Sequence, residues 1–213
     1  MRVSVLIRSF LAGMLVSIGC VVFLMCPNRI VGSFLFSFGL FTILNLKLEL
    51  YTGKIGYLVT NFKLEYAGEL LLTLLGNYLG TLFAALLIRF TRLDVMSSVS
   101  ELTAIKLNDT AFSMLILAVF CGMLMFLAVE LFRTIESYLG KALAVIFAVM
   151  VFILSGFEHC IADMFYFNLA GNLKPSLLLL LILGNTVGAM LLCWLMNLAK
   201  ERDKNAVKIP SAR

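Results

Sequence analysis

The residues of this sequence that are best suited to chemistry stand inside apolar segments. His159 is the only histidine among 213 residues and follows Glu158 directly, and Thr52 follows Glu49 by three positions in an earlier segment. Ionisable groups are costly inside a membrane and usually mark a pathway for ions, protons or substrates. The pattern therefore favours a pathway role for His159 over that of a hydrogen-bonded core histidine. Thr52 is equally consistent with a donor lining a constriction and with a hydroxyl bonded to a helix-end carbonyl.

The composition around these residues predicts an all-α integral membrane protein. Hydrophobic residues make up 62% of the chain and charged residues only 14%, against roughly 25% charged residues in a soluble domain. A transmembrane helix needs about 20 mostly apolar residues, and six such stretches occupy most of the chain, so residues 1–213 are expected to form a single membrane domain. The six predicted transmembrane helices cover residues 5–25, 30–59, 70–90, 111–132, 142–167 and 175–199, with a polar loop at 91–110.

The second and fifth of these helices are interrupted by polar residues and are predicted to be broken. Glu49 and Glu158 stand in the two interruptions at an offset of 109 residues, and a Gly-Asn-x-x-Gly run beginning at Gly76 recurs at Gly184, an offset of 108. Each half contributes three helices, so the second half must enter the membrane from the opposite side. The sequence therefore predicts an inverted repeat of two three-helix halves, at about residues 1–100 and 101–200. Matched broken helices in such halves indicate a site near the membrane midplane.

The Gly-Asn-x-x-Gly runs are interpreted first as helix contacts. Glycines four residues apart leave a flat strip on which a neighbouring helix can pack closely. We also consider that Asn77 and Asn185, within the runs, bond backbone groups freed at the breaks, since such groups cannot stay unpaired in lipid.

The charges predict the orientation of the chain. Eleven basic residues fall on the side of the two termini and five on the other side, and basic loops stay in the cytoplasm. We expect a multi-pass protein of the plasma (inner) membrane with both termini, and a basic tail at residues 201–213, in the cytoplasm. The net charge of +5 reports this orientation and not a nucleic-acid partner. Five scattered cysteines and one histidine predict no disulfide framework, metal site or cofactor.

Lys47 lies within the second apolar segment and has two open interpretations. Its spacing from Phe36 and Leu40 puts the three residues on one helix face. If this face lines a pore, the Lys47 ammonium stands beside the path. Otherwise it forms a structural ion pair with Glu49 or Glu158.

Two sequence runs resemble the signatures of the formate/nitrite transporter family. Residues 155–165, Ser-Gly-Phe-Glu-His-Cys-Ile-Ala-Asp-Met-Phe, resemble its Gly-Phe-Glu-His signature, and residues 49–53, Glu-Leu-Tyr-Thr-Gly, resemble its first signature. Residues 104–106, Ala-Ile-Lys, stand where the family has a loop lysine, and the Leu-Gly-Asn run of the last segment also fits. The resemblance covers essentially the whole chain.

This resemblance implies a pentameric channel with aquaporin-like protomers and no enzymatic activity. Each protomer would have its own pore for small monovalent anions or their conjugate acids, such as formate, nitrite, hydrosulfide and lactate. It further implies that His159 is the central pore histidine, that Thr52 faces it, and that Lys106 raises the local anion concentration. Two hydrophobic constrictions are implied, Phe36 and Leu40 in one and Leu50, Tyr51 and Phe152 in the other.

The sequence departs from the family pattern at three positions. Asp163 stands where the family has an asparagine, Lys47 where it has a glycine, and Gly122 where the fourth helix has a polar asparagine. These departures bear on the substrate and on gating, because they change charge or polarity along the implied pore.

Passage of an anion together with a proton is the expected mechanism. A charged solute in an apolar constriction loses hydration worth many kcal/mol, whereas a neutral weak acid loses far less. The proton is given either by His159 or by water in the field of Lys106. An aquaporin-type channel for a small neutral solute is the alternative, although the Asn-Pro-Ala motif is absent. A serine hydrolase built on Ser155 and His159 is disfavoured, because a triad draws its members from separate elements.

Overall fold

Helices joined by short connections form the whole of the described chain. The computed structural model describes residues 2–206, and side chains for residues 2–200. The basic tail predicted at residues 201–213 lies outside the described side chains. The helices are α1 Arg2–Met25, α2 Arg29–Asn45, α3 Tyr51–Lys54, α4 Leu64–Ile88, α5 Met96–Asn108, α6 Ala111–Thr134, α7 Tyr138–Leu154, α8 Cys160–Ala170 and α9 Pro175–Ala206, with a 3₁₀ turn at Ile55–Val59 after α3.

Four helices are long and apolar enough to cross a membrane. They are α1, α4, α6 and the Pro175–Lys200 part of α9, and they coincide with the predicted first, third, fourth and sixth spans. Many of their large apolar side chains point outward: Leu71 on α4 is 68% exposed and Leu179 on α9 is 66% exposed. Apolar surface on this scale requires an apolar environment around the molecule. The chain is therefore a multi-pass membrane protein.

The predicted second and fifth spans are each divided between two helices. α2 ends at Asn45 and α3 begins at Tyr51, and α7 ends at Leu154 and α8 begins at Cys160. The backbone between the helices is irregular in both places. That α2 with α3, and α7 with α8, form two broken transmembrane helices, for a total of six spans, stays a prediction.

Glycines allow close packing of α1 on α4 and of α6 on α9. A Cβ atom at Gly80 would overlap the Phe10 carbonyl oxygen, and one at Gly188 would overlap the Val119 carbonyl oxygen. The interpretation of the Gly-Asn-x-x-Gly runs as helix contacts is confirmed. Gly122 has a similar role, because a Cβ atom there would overlap the carbonyl oxygen of Asn185.

The connection predicted as a polar loop at residues 91–110 contains helix α5. The prediction was wrong because the polar composition concealed a helical pattern. Val95, Val99 and Thr103 recur every four residues and are all buried, which is the spacing of one helix face. Lys106 follows on the same face, so α5 directs it toward the protein.

Candidate pore site

The first interruption is held by Asn77 of α4. Its side-chain amide donates hydrogen bonds of 2.8 Å to the backbone carbonyls of Ser9 and Glu49. Its side-chain oxygen accepts a 2.9 Å bond from the backbone N–H of Tyr51, at the start of α3. One buried asparagine thus satisfies backbone groups within the interruption, at the start of α3 and on α1.

Asn185 of α9 holds the second interruption in the same way. It donates bonds of 2.8 Å to the carbonyls of Ala118 and Glu158 and accepts a 2.9 Å bond from the N–H of Cys160. Each partner stands 109 residues after its counterpart at Asn77, so the repeat extends from sequence to contacts. The two asparagines thus bond backbone groups at both interruptions, while the assignment of these interruptions as breaks in transmembrane helices stays a prediction.

The starts of α3 and α8 meet at a buried polar pair. The Thr52 hydroxyl oxygen lies 3.0 Å from His159 Nε2, and both side chains are buried. His159 Nδ1 accepts a 3.2 Å bond from the N–H of Ala162 and caps α8. A ring nitrogen that accepts a hydrogen bond carries no proton, so we assign the proton of the neutral ring to Nε2, which donates it to Thr52. The hydroxyl hydrogen of Thr52 then remains available to a solute.

Two aromatic rings cover one side of this pair. The Phe152 ring lies 5.6 Å from the His159 ring and 5.9 Å from the Phe36 ring, centroid to centroid. Phe152 therefore lies with Phe36, and not with Leu50 as the resemblance implied. Leu40 is buried one turn further along α2.

The two other constriction candidates, Leu50 and Tyr51, have different surroundings. Leu50 lines a different cavity from the one that the two rings line. Tyr51 is directed toward α9, where its hydroxyl lies 2.9 Å from the Thr186 hydroxyl. This bond joins α3 to α9, and a role of Tyr51 in a constriction stays a prediction.

Two cavities lie close to the polar pair. The histidine cavity, about 270 Å³, is lined by Phe36, Phe152 and His159, and by the charged residues Arg29, Lys106, Glu158 and Asp163. The basic cavity, about 710 Å³, is lined by Leu50 and Gly53, which are within two residues of Thr52, and by the charged residues Lys47, Glu49, Lys54, Arg133 and Lys141. Thr52 and His159 stand between them.

Lys106 lies in the histidine cavity between two carboxylates. Its side chain is 12% exposed, and its ammonium pairs with Glu158 and lies 2.8 Å from Asp163 Oδ1. Asp163 Oδ2 is buried and has no hydrogen-bond partner among the described residues. Lys106 is therefore not a solvated loop residue, because α5 turns it inward.

The structure bears on both sequence interpretations of Lys47. α2 ends at Asn45, so Lys47 does not continue the helix face of Phe36. The predicted pairing with a membrane carboxylate is wrong: Glu49 pairs with Lys54 and Glu158 with Lys106. Lys47 is exposed to the basic cavity instead.

The hydrolase alternative has no geometric support. Both ring nitrogens of His159 are engaged, with Thr52 and Ala162, and no hydrogen bond joins Ser155 to His159 within residues 2–200. Sequence reasoning missed the Lys54 pair with Glu49, and it counted Arg133 and Lys141 only as orientation charges. The Lys54 pair carried a usable signal, since the two oppositely charged residues stand only five positions apart across the first signature.

A multi-pass helical protein with a buried polar pair between two cavities has the features of a membrane channel or transporter. Residues 2–199 match the sequence profile of the family described as formate/nitrite transporter. The chain belongs to this family, and the resemblance predicted from the two signatures is confirmed.

Curated relatives match part of the chain. The formate-nitrite transporter of Plasmodium knowlesi is 30% identical over 118 residues, which are 50% of this chain and 38% of that protein. The formate channel FocA of Haemophilus influenzae is 27% identical over 151 residues, which are 65% of this chain and 52% of that protein. The chain thus spans about half or less of the length of these relatives.

Solved structures share the fold over most of its length. A pentameric formate channel with formate bound has a TM-score of 0.75 and 22% identity, covering 92% of this chain and 98% of that one. An ion channel of the same family has a TM-score of 0.79 and 24% identity, covering 93% and 89%. These likenesses concern the fold alone.

Proposed function

We propose that this chain is a channel for small monovalent anions or their conjugate weak acids, of the formate, nitrite, hydrosulfide and lactate type. The observation that carries the proposal is the buried Thr52–His159 hydrogen bond, because His159 lines one cavity and the neighbours of Thr52 line the other. Family membership and the relatives, a formate-nitrite transporter and a formate channel, support the same class of substrate.

The proposed architecture is a single membrane channel domain, residues 1–213, with six transmembrane helices in an aquaporin-like inverted repeat. The matched contacts of Asn77 and Asn185 support the repeat. Each protomer has its own pore, and the protomers form a homopentamer, which the pentameric neighbour supports. The protein lies in the plasma membrane with both termini and the basic cavity on the cytoplasmic side, where basic loops remain.

In the proposed mechanism a solute loses water as it passes the rings of Phe36 and Phe152. An anion would lose much of its hydration there, and the Thr52 hydroxyl is the donor placed to replace part of it. The imidazole N–H of His159 donates to Thr52, so it strengthens the hydroxyl as a donor without carrying a charge itself. Uptake of one proton per anion keeps the passage electrically neutral, and its source is either His159 or water near Lys106.

A channel for a small neutral solute is a second candidate, favoured by the charges of the histidine cavity. Arg29 and Lys106 are balanced there by Glu158 and Asp163. A cavity with balanced charge gives an anion no electrostatic preference over a neutral molecule.

Uptake by proteoliposomes that contain the full chain tests the two candidates. The series is formate, nitrite, hydrosulfide, lactate and ammonium at two pH values, with glycerol added for the neutral-solute candidate. We expect uptake of formate-type anions that rises as the external pH falls, since each anion enters with a proton. The variant Thr52→Val keeps the shape of the side chain but removes the hydroxyl. It should therefore lower the uptake of formate-type anions. Glycerol uptake without anion uptake would favour the second candidate.

A further inference from the structure

Lys47 has an unusual backbone conformation. Its φ angle is 53°, and it is the only residue other than glycine with a positive φ angle in the described part of the chain. The residue 109 positions later is Gly156, with a φ angle of 70°. A side chain in this left-handed region is strained, whereas glycine is not. Strain of this kind is characteristic of functional sites.

No structural contact accounts for the lysine at this position. Lys47 makes no ion pair and no side-chain hydrogen bond with the residues whose side chains are described, 2–200. Glu49, the only carboxylate that lines the basic cavity, pairs with Lys54. The Lys47 ammonium therefore stands in the cavity without an anionic partner.

Two further cations line the same cavity, and each makes a cation–π contact with an aromatic ring. The Arg133 guanidinium lies 4.7 Å above the Tyr57 ring centre, and the Lys141 ammonium lies 5.6 Å from the Phe132 ring centre. Glu130, the nearby carboxylate, lies outside this cavity and interacts with Tyr57 and Lys200. Three cations thus face the basic cavity beyond the Lys54 pair.

The two cavities differ in charge as a result. Bases and acids balance in the histidine cavity, whereas the basic cavity has four basic side chains and one carboxylate. A cavity lined by one sign of charge raises the local concentration of ions of the opposite sign. Leu50 and Gly53 line the basic cavity beside Thr52, so an anion held there is next to the candidate pore.

We propose that Lys47, Arg133 and Lys141 form a binding site for a small carboxylate or a similar monovalent anion in the basic cavity. An anion bound at this site enters the pore from the side of the basic cavity. The inference rests on the proposed function for its class of anion, and it adds a site that the Thr52–His159 pair does not provide.

Thermal unfolding of the detergent-solubilised full chain tests binding directly. The probe is sodium formate, with sodium gluconate at equal ionic strength as the control for salt and for size. Formate should raise the melting temperature of the wild-type protein and of Lys47→Arg, because a bound anion stabilises the folded state. Lys47→Gly should lose this shift. Without formate, however, it should melt at the wild-type temperature or above, because glycine relieves the backbone strain.

Formate flux in membrane vesicles of the two orientations tests the position of the site. In Lys47→Gly, the half-saturating formate concentration on the side of the basic cavity should rise by roughly three- to tenfold, the effect of one partly screened cation. On the other side it should change less. The reciprocal variant Gly156→Lys is the matched control. It adds an ammonium at the equivalent position, which lines the histidine cavity. It should therefore lower the half-saturating formate concentration on the side of the histidine cavity.

The possible outcomes separate the site from the transport function. Formate stabilisation that depends on Lys47 supports the site, even if the vesicles transport no formate and the proposed function fails. Formate transport by a wild-type protein that formate does not stabilise overturns the site and leaves the proposed function intact. A lower melting temperature of Lys47→Gly without formate also overturns the site, because Lys47 would then be structural.

Discussion

His159 makes two hydrogen bonds that can be separated by substitution. Nδ1 caps α8 at Ala162, and Nε2 bonds Thr52. Asparagine is a good helix cap, so His159→Asn should keep the cap but lose the titratable ring. We expect a folded oligomer with lower flux and without the pH dependence that the ring contributes, measured as formate uptake across a pH series. Wild-type flux with an unchanged pH profile would remove His159 from the mechanism.

His159→Ala is the control for the structural part of this effect. Alanine cannot accept the bond from Ala162, and loss of a cap costs about 1 kcal/mol. His159→Ala should therefore melt below His159→Asn, while both variants share the altered pH profile. Equal melting temperatures would show that the cap contributes little.

Asp163 adds a second carboxylate to Lys106. Asp163→Asn has the same size and leaves the Lys106 pair with Glu158 in place, but it gives the histidine cavity one more net positive charge. The half-saturating formate concentration on that side should fall by roughly three- to tenfold. The measurement is the concentration dependence of uptake at neutral pH. An unchanged or higher value would contradict an electrostatic role for Asp163.

At the scale of helices, glycine contacts set the distance between paired elements. A methyl group at Gly80 would overlap the carbonyl oxygen of Phe10 on α1, whereas Gly68 on the same helix faces open space. Gly80→Ala should destabilise the protein by about 1–3 kcal/mol, a typical cost of overpacking. Gly68→Ala should leave stability unchanged or raise it, because alanine favours helix. The measurement is thermal unfolding in one detergent, and equal melting temperatures for the two variants would contradict this packing.

At the scale of the whole molecule, we expect the chain to assemble as a ring of five. This expectation follows from the proposed homopentameric architecture. Mass photometry in detergent, corrected for bound detergent, should give five times the 23.6 kDa chain mass. A monomer or dimer that still transports formate would show that assembly is not needed for the pore.

The sequence alone determined the features that depend on local patterns. Apolar runs predicted the four long helices, and the signatures around Thr52 and His159 predicted the family, which the profile match confirmed. The offset of 108 to 109 residues predicted the matched contacts of Asn77 and Asn185. These features can be predicted because a segment in lipid must satisfy the hydrogen bonds of its own backbone. A helix that does so has a continuous apolar run, and an interruption of the helix has polar residues, so both are visible in the sequence.

Only the tertiary structure decided which partner each polar or aromatic residue has. Lys106 could have been solvated, and Glu49 could have paired with Lys47. The partner instead depends on how helices far apart in sequence pack, because several side chains of the same type compete for each position. The left-handed backbone of Lys47 and the pairing of Phe152 with Phe36 also became apparent only in the tertiary structure.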